Sequence, residues 1–157
     1  MKIKTTSNGI LQIDDARIIF KNFEGREDTY NRAGDRNFAL VIPTEEQADM
    51  LKEEGWNVKI KAPREEGDVP FMYLPVKVKY NEKGGPKAIL VSGSNTRHLN
   101  EDTIGMLDHI SIQSIDMDIR PFDWNMHGTS GRTAYLQAIW VTQKIDRFDE
   151  RLEEEMV

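Results

Sequence analysis

Short segments in which apolar and polar residues alternate place the strongest restriction on the fold of this chain. Every second residue is apolar in residues 56–63, and residues 75–80 repeat the pattern. A period of two is typical of β-strands that bury one face, and it does not fit an amphipathic helix. Alternation and a high content of strand-forming residues predict further strands at 10–20, 37–43, 87–93, 110–122 and 133–145.

The connections between these segments carry turn-forming residues. A bend is expected at Asp14–Asp15, and residues 64–73 are predicted to be a loop. Turn formers at 81–86 favour a hairpin between the strands on either side of them. Those at 123–132 favour a second hairpin between the two longest strands.

One clear helix is predicted, at residues 44–55. Thr44 is a suitable N-cap, Gln47 completes a capping box, and Gly55 provides the stop. Residues 100–109 are expected to form a short helix or turn.

The number of strands and the hairpin connections predict a mainly β fold, a β-rich α+β arrangement. A partly open, oligonucleotide-binding (OB)-like barrel accommodates this pattern: five antiparallel strands in a Greek key with one inserted helix. At 157 residues, and without a long linker, the chain is expected to form one domain at 1–145. Residues 146–157 are expected to be an acidic C-terminal tail.

The charge is concentrated in that tail. The formal net charge is −6, of which the last twelve residues carry −4, which leaves −2 for the other 145. A nearly neutral domain can still present a basic groove, so an anionic partner is not excluded. The N-terminus lacks a signal-peptide core and no apolar run reaches the roughly 20 residues of a membrane helix. We therefore expect a soluble, cytoplasmic protein without a membrane partner.

Catalytic motifs are missing from the sequence. The three histidines form no HExxH motif, and neither a Walker-type phosphate loop nor a GxSxG elbow occurs. Four aspartates in predicted strands resemble a nuclease metal cluster only in number: Asp14, Asp15, Asp116 and Asp118. Because the last two alternate with apolar residues, we expect these aspartates on solvent-facing sides. No catalytic residue, metal or cofactor is predicted. A metal-dependent nuclease is the least favoured hypothesis.

Residues 18–43 combine strand-like ends with a polar middle. Phe20 and Phe38 are expected in the core, and the segment between them is expected to be a flexible loop. The middle is formally neutral and contains the candidate DNA-binding residues Arg26, Tyr30, Arg32 and Arg36. Arginines hold phosphate groups and aromatic rings stack on bases. Two hypotheses remain equally open. Either these side chains bind an extended anion, or the charged side chains of the loop pair with each other.

Lysines and aromatic residues recur on other predicted strands. Lys59 and Lys61 share one strand face, and so do Lys77 and Lys79, so pairing of the two strands would concentrate four ammonium groups. Alternatively, they only solvate an outer face. A third group has i, i+2, i+4 spacing, which suits either a base-stacking ladder or the core: Arg120, Phe122 and Trp124.

Four stretches of the sequence resemble a family of single-stranded DNA-binding proteins encoded by tailed bacteriophages. The likeness covers roughly residues 10–145 and includes ARIIFKNFEGREDTYNRAGDRNFALVIPTEEQADMLKEEGWNVK, YLPVKVKY, GMLDHISIQSIDMDIRPFDW and AYLQAIWVTQ. The resemblance implies an OB fold that coats single-stranded DNA during phage replication or recombination in the host cytoplasm, without catalysis or metal. It also implies an acidic tail that contacts replication or recombination proteins. Such tails commonly close on an aromatic residue, whereas this chain closes on Met156–Val157.

Together, pattern and resemblance predict a sequence-tolerant binder of single-stranded DNA, with homo-oligomerisation left open. The phosphate contacts are assigned to Arg26, Arg32, Arg36, Lys59, Lys61, Lys77, Lys79 and Arg120, and base stacking to Tyr30, Phe122 and Trp124. The rival hypothesis is a phage accessory or anti-defence protein that binds another protein, which the net charge of −6 favours.

Overall fold

The computed structural model describes residues 1–62, 66–67 and 70–145. The residues described form ten β-strands, one α-helix and one 3₁₀ helix. The strands are β1 (Lys2–Thr5), β2 (Leu11–Asp14), β3 (Ile18–Asn22), β4 (Arg36–Ile42), β5 (Lys59–Lys61), β6 (Phe71–Val78), β7 (Lys87–Ser92), β8 (Asn95–Leu99), β9 (Ile112–Met126) and β10 (Thr129–Gln143). The helix α1 spans Glu45–Glu53, and the 3₁₀ helix spans Ile104–Asp108. The predicted acidic tail lies outside the described residues.

The strands belong to one mixed sheet in which β10 occupies the centre. β10 pairs antiparallel with β9 along nearly its whole length. Along its other edge, β10 pairs in parallel with β6 at Ala134–Tyr135 and with β7 at Ala138–Thr142. The prediction of a mainly β fold with one helix is confirmed. The prediction of five antiparallel strands is wrong in count and in pairing, because β6 and β7 both run parallel to β10.

A bend separates β2 from β3, as the sequence predicts. Asp15 has a positive φ of 55°, and its backbone N–H donates to Asp116 Oδ1 at 2.9 Å. On one side of the bend β2 pairs with β9, and on the other side β3 pairs with β4. The two short strands therefore connect opposite parts of the sheet.

The core lies between the inward faces of these strands. On β9, the buried residues Ile115, Met117 and Ile119 alternate with more exposed ones. Phe38 is only 2% exposed, which confirms its predicted place in the core, but Phe20 is 56% exposed. The prediction that Phe20 is a core residue is wrong because the chain bulges there, and the neighbouring ring of Phe23 is the buried one.

Helix α1 begins and ends where its sequence signals predict. Thr44 Oγ1 accepts a hydrogen bond from the Gln47 backbone N–H at 3.1 Å, and Gly55 follows the helix with a φ of +96°. The Gln47 side chain donates instead to the Met1 carbonyl oxygen at 3.0 Å, so the capping box is only half formed. None of the described helices is long and apolar enough to cross a membrane.

Several strand boundaries and one hairpin pairing differ from the sequence prediction. β5 is only three residues long and all three residues are exposed, including the apolar Ile60 at 56%. β6 begins at Phe71, inside the predicted loop, and β7 forms its hairpin with β8 rather than with β6. β9 and β10 extend until only His127–Gly128 separates them. Both of these residues have positive φ, as a tight hairpin turn requires.

Candidate nucleic-acid interface

A row of polar and aromatic side chains crosses four neighbouring strands. Arg120 on β9 is paired with Tyr135 on β10, Tyr135 with Lys77 on β6, and Lys77 with Asn37 on β4. Directly paired residues point to the same side of a sheet, so these four side chains lie together on the face opposite the core. We call them the central row. The Arg120 guanidinium carbon lies 4.7 Å from the centre of the Tyr135 ring, a cation–π contact.

Two further aromatic residues continue from the central row along β9. The strand passes Pro121 without interruption, so Arg120, Phe122 and Trp124 share one face, as their spacing predicts. The Phe122 ring packs edge-on against Tyr135 at a centroid distance of 6.1 Å and is 52% exposed. Trp124 lies over Gly131 of β10, where a Cβ atom would stand only 2.4 Å from the indole ring. The ladder is therefore a surface feature and not part of the core.

The opposite face of the β9–β10 hairpin is anchored to the end of helix α1. Arg132 Nη1 donates to the Glu54 carbonyl oxygen at 2.6 Å, and Arg132 Nε donates to Asp123 Oδ1 at 2.6 Å. The hydrogen bond from Arg132 lowers the pKa of the Asp123 carboxyl below its usual value. The guanidinium also covers the Trp56 ring at 5.2 Å. These contacts fix the orientation in which the hairpin presents its aromatic face.

A groove of about 490 Å³ opens beside the central row. It brings together cations from the β3–β4 loop and from the end of β6, which are distant in the sequence. Its lining includes Arg32, Arg36, Lys77, Lys79, Tyr80, Glu101 and Tyr135. The structure thus collects four of the predicted phosphate-binding residues around one concave surface that can accommodate a polyanion.

Arg36 is held in a fixed position at this groove. Its Nη1 donates to the Phe23 carbonyl oxygen at 2.7 Å, and its guanidinium lies 5.6 Å from the centre of the Tyr80 ring. Burial raises the pKa of the Tyr80 hydroxyl above its usual value, so the phenol is neutral at physiological pH. That buried hydroxyl has no hydrogen-bond partner among the described residues. Arg36 is therefore oriented before any ligand arrives.

The loop between β3 and β4 is ordered by two asparagine side chains. Asn22 accepts from the Arg26 backbone N–H at 2.9 Å and donates to the Arg26 carbonyl at 3.0 Å. The Asn31 amide donates to the carbonyls of Arg26, Arg32 and Asp35 at 2.9–3.0 Å. Amide groups satisfy backbone polar atoms here in the way a strand partner would. The sequence predicts a flexible loop, whereas the structure shows one held by hydrogen bonds.

The charged side chains of this loop are only weakly paired. Arg32 Nε lies 3.7 Å from Asp35 Oδ2, with the Arg32 side chain 93% exposed, and Arg26 Nε lies 3.8 Å from Glu24 Oε2. Exposed ion pairs of this kind contribute about 0–1 kcal/mol, so a phosphate group can displace the acid. Tyr30 is 98% exposed. Arg26 and Tyr30 do not line the groove, in contrast to Arg32 and Arg36.

Two glycines of the loop provide a matched test of its close packing. Gly25 has a φ of +74° and a Cβ there would lie 3.0 Å from the Gly34 backbone, whereas Gly34, at +91°, has open space around it. We expect Gly34→Ala to cost about 1 kcal/mol from its positive φ alone, and Gly25→Ala about 2–3 kcal/mol because a steric clash is added. Urea denaturation measures both values. Equal losses would contradict the close approach of the two backbone segments.

The lysines on β5 do not lie where the sequence prediction places them. β5 pairs with the beginning of β6, so Lys59 stands opposite Tyr73 and Lys61 opposite Phe71. They are therefore remote from Lys77 and Lys79, and the predicted concentration of four ammonium groups is wrong. Lys61 Nζ lies 5.2 Å from the centre of the Phe20 ring instead.

Four aromatic residues of this surface escape the sequence prediction: Phe20, Phe71, Tyr73 and Tyr135. Tyr135 lies within a predicted strand, but only the strand register shows that it separates Lys77 from Arg120. The alternation in residues 71–78 is a usable signal for Phe71 and Tyr73. The glycine and proline that precede it make the segment resemble a loop.

The strand aspartates lie at the surface, as the sequence predicts. Asp14, Asp15 and Asp116 are exposed and Asp118 is half-buried. Burial, and secondly the charge of Asp14, raises the pKa of the Asp118 carboxyl above its usual value. In the part of the chain that the structure describes, no three His, Cys, Asp or Glu residues are grouped so as to hold a metal ion.

Comparison with known proteins relates this chain to a phage family. No curated protein sequence matches the chain significantly. The single-stranded DNA-binding protein from bacteriophage Enc34 in complex with single-stranded DNA is similar in structure, with a TM-score of 0.54, 13% identity and 93% of each chain covered. A C-terminal truncation of that protein gives a TM-score of 0.50 at 13% identity over 89% of this chain and 88% of the other. At this identity the likeness is one of fold.

The sequence itself is matched by a family model over residues 2–155, nearly its whole length. The description of that family is "Putative phage ssDNA-binding domain". The chain therefore belongs to this family of phage single-stranded-DNA-binding domains.

Proposed function

We propose that the protein coats single-stranded DNA, with little sequence preference and without catalysis, during phage DNA replication or recombination in the host cytoplasm. The central row is the observation that carries this proposal. Within it, a cation stands on each side of the Tyr135 ring, since Lys77 and Arg120 are its two strand partners. Guanidinium and ammonium groups bind phosphates, and rings stack on any base, so the row suits a strand of arbitrary sequence.

The groove extends the proposed phosphate path away from the row. Lys79, Arg32 and Arg36 border it, and Arg36 is already oriented by its bond to the Phe23 carbonyl. On the other side, Phe122 and Trp124 offer partly exposed rings for stacking. Fixed cations and rings lose little conformational entropy on binding, which favours affinity. Arg26 and Tyr30 would contact a strand that leaves the groove over the loop.

The fold that we propose for residues 1–145 is an OB-like barrel. Its support is the order of strand pairing, which runs from β3 through β4, β6, β10 and β9 to β2. β2 and β3 are consecutive in the chain across the Asp15 bend, so the polypeptide joins the two ends of this order although these two strands are not paired. Helix α1 is inserted after β4. Residues 146–157 would form an acidic tail that contacts replication or recombination proteins.

Salt-dependent binding to oligonucleotides is the direct test. We expect fluorescent oligo-dT to bind more tightly than duplex DNA of the same length. We also expect the affinity to fall between about 50 and 200 mM salt, with a log–log slope of roughly −0.7 per phosphate contact. Fluorescence anisotropy measures both. Absent binding at low salt, or binding indifferent to salt, would contradict the proposal.

A protein-interaction module is the second candidate, and one exposed residue favours it. Trp140 on β10 is 45% exposed, between its strand partners Ile89 and Asp116. An exposed tryptophan beside an acidic residue suits a protein partner better than a polyanion. Under this hypothesis a host protein remains bound after nuclease treatment and is lost in Trp140→Ala, while oligo-dT does not bind.

A further inference from the structure

Three aromatic side chains form a partly exposed cluster at the beginning of β6 that is remote from the central row. The ring of Phe20 lies 6.3 Å from that of Phe71 and 6.1 Å from that of Tyr73, and the latter two are 5.7 Å apart. We call these three residues the aromatic cluster. Phe20 is 56% exposed. A contiguous patch of partly exposed aromatic rings often marks a site where a partner binds.

The backbone holds Phe20 outside the core at a conformational cost. Its φ of +55° is in the left-handed region, and the pairing of β3 with β4 shifts in register between Ile19 and Asn22. A bulky residue in this region costs on the order of 1–3 kcal/mol, and such strain concentrates at ligand-binding sites. The core is filled nearby by Phe23, which is fully buried. Strain and exposure together indicate a role for Phe20 at the surface.

Lysine side chains lie beside the aromatic cluster, just as Lys77 and Arg120 lie beside Tyr135 in the central row. Lys61 Nζ lies 5.2 Å from the centre of the Phe20 ring and 5.8 Å from that of Phe71. Lys59 is the strand partner of Tyr73 and is exposed. Rings that can stack on bases therefore stand beside ammonium groups that can bind the flanking phosphates.

The outward face of β6 connects the cluster to the central row. Leu74, Val76 and Val78 are buried, so the alternate residues from Phe71 to Lys77 face outward. At about 3.3 Å per residue, these two residues lie roughly 20 Å apart. For a strand that keeps the duplex spacing of about 3.4 Å per nucleotide, that distance corresponds to about six nucleotides. Pro75 is the outward residue that follows Tyr73, and it carries no long side chain to block the path.

We propose that the aromatic cluster is a second base-stacking platform, and that one DNA strand runs along β6 from the central row to Phe20. This inference rests on the proposed function and adds to it a second contact point and a minimum length of ligand. Oligonucleotides of about four nucleotides reach one of the two sites, whereas those of about twelve reach both.

The test compares oligo-dT of about four and about twelve nucleotides on the full chain. We expect Phe20→Ala to weaken binding of the longer oligonucleotide by about 5- to 150-fold, the range for loss of one stacked base. The affinity gained by lengthening the oligonucleotide should therefore shrink. The slope of affinity with salt should stay unchanged because the ring is uncharged, while Lys61→Gln should lower it. Phe20→Tyr keeps a ring and should bind like wild type.

Trp140→Ala is the matched control, because it removes an exposed ring on another part of the sheet. We expect it to leave DNA affinity unchanged. Wild-type affinity of Phe20→Ala for the longer oligonucleotide overturns the inference, and so does an equal loss in Trp140→Ala. In both cases wild-type binding remains, so the proposed function stands. If wild type binds neither oligonucleotide at low salt, the proposed function itself fails.

Discussion

The double variant Lys77→Glu, Arg120→Glu is expected to lose about 100-fold or more of the affinity for single-stranded DNA at low salt. The two side chains flank Tyr135 in the central row, so both reversals act on the same short piece of the ligand. Each reversal removes one phosphate contact and adds repulsion, and about 1.4 kcal/mol per site already corresponds to tenfold. Fluorescence anisotropy with oligo-dT measures the loss.

The salt dependence separates this mechanism from general charge effects. Loss of two phosphate contacts should make the log–log slope less steep by about 1.4. Lys4→Glu, Lys87→Glu is the matched control, since it changes the net charge equally at two exposed lysines on β1 and β7. It should retain nearly the wild-type slope. If Lys4→Glu, Lys87→Glu loses as much affinity as Lys77→Glu, Arg120→Glu, the central row is not the binding site.

The largest loss of stability is expected from Phe23→Ala. The Phe23 ring is fully buried and stacks on Phe38 at a centroid distance of 5.3 Å. Its backbone N–H donates to Asp108 Oδ1 at 2.9 Å, and its carbonyl accepts from Arg36. Removing a buried phenylalanine ring costs about 3–5 kcal/mol, a large part of the 5–15 kcal/mol that stabilises a typical domain. Urea denaturation measures the change in the free energy of unfolding.

Phe20→Ala provides the internal comparison, three residues earlier in the chain. Its ring is mostly exposed and its backbone is strained, so we expect a change within about 1 kcal/mol. The two variants remove the same side chain from the same strand end. A similar loss of stability in both would show that the assignment of Phe23 to the core and Phe20 to the surface is wrong.

Local features of the fold follow from the sequence because their causes are local. The alternation of apolar residues predicts the long strands β9 and β10, and the capping residues predict helix α1 to within two residues. The bend after β2 is marked by Asp14–Asp15. In each case, neighbouring residues determine both the pattern and the structure.

The pairing of distant strands does not follow from the sequence. β10 pairs in parallel with β6 and β7, a contact between segments that are far apart in the chain and have no turn between them. Nor does composition show which of Phe20 and Phe23 is buried. One residue at positive φ reverses the alternation that strand patterns assume.

The candidate site also combines residues that the sequence indicates with neighbours that only the fold reveals. Arginine and aromatic residues in the β3–β4 loop indicate a binding surface, but only the fold brings Arg32 and Arg36 to Lys77 and Lys79. The sequence pattern places the β5 lysines beside Lys77 and Lys79, whereas the structure places them beside Phe71 and Tyr73. The difference arises because loop-forming residues precede β6 and conceal where that strand begins. No local sequence pattern marks Tyr135 as a binding residue, because its proposed role depends on its two strand partners, Lys77 and Arg120.

The central position of β10 has a consequence for the order of events during synthesis. β6 and β7 leave the ribosome well before β10, which pairs with both, at a translation rate of about 5–20 residues per second. Until β10 arrives, one edge of each strand lacks that partner, and Lys77 has no Tyr135 beside it. If the central row is the DNA site, as we propose, a nascent chain cannot bind DNA there before β10 has been synthesised.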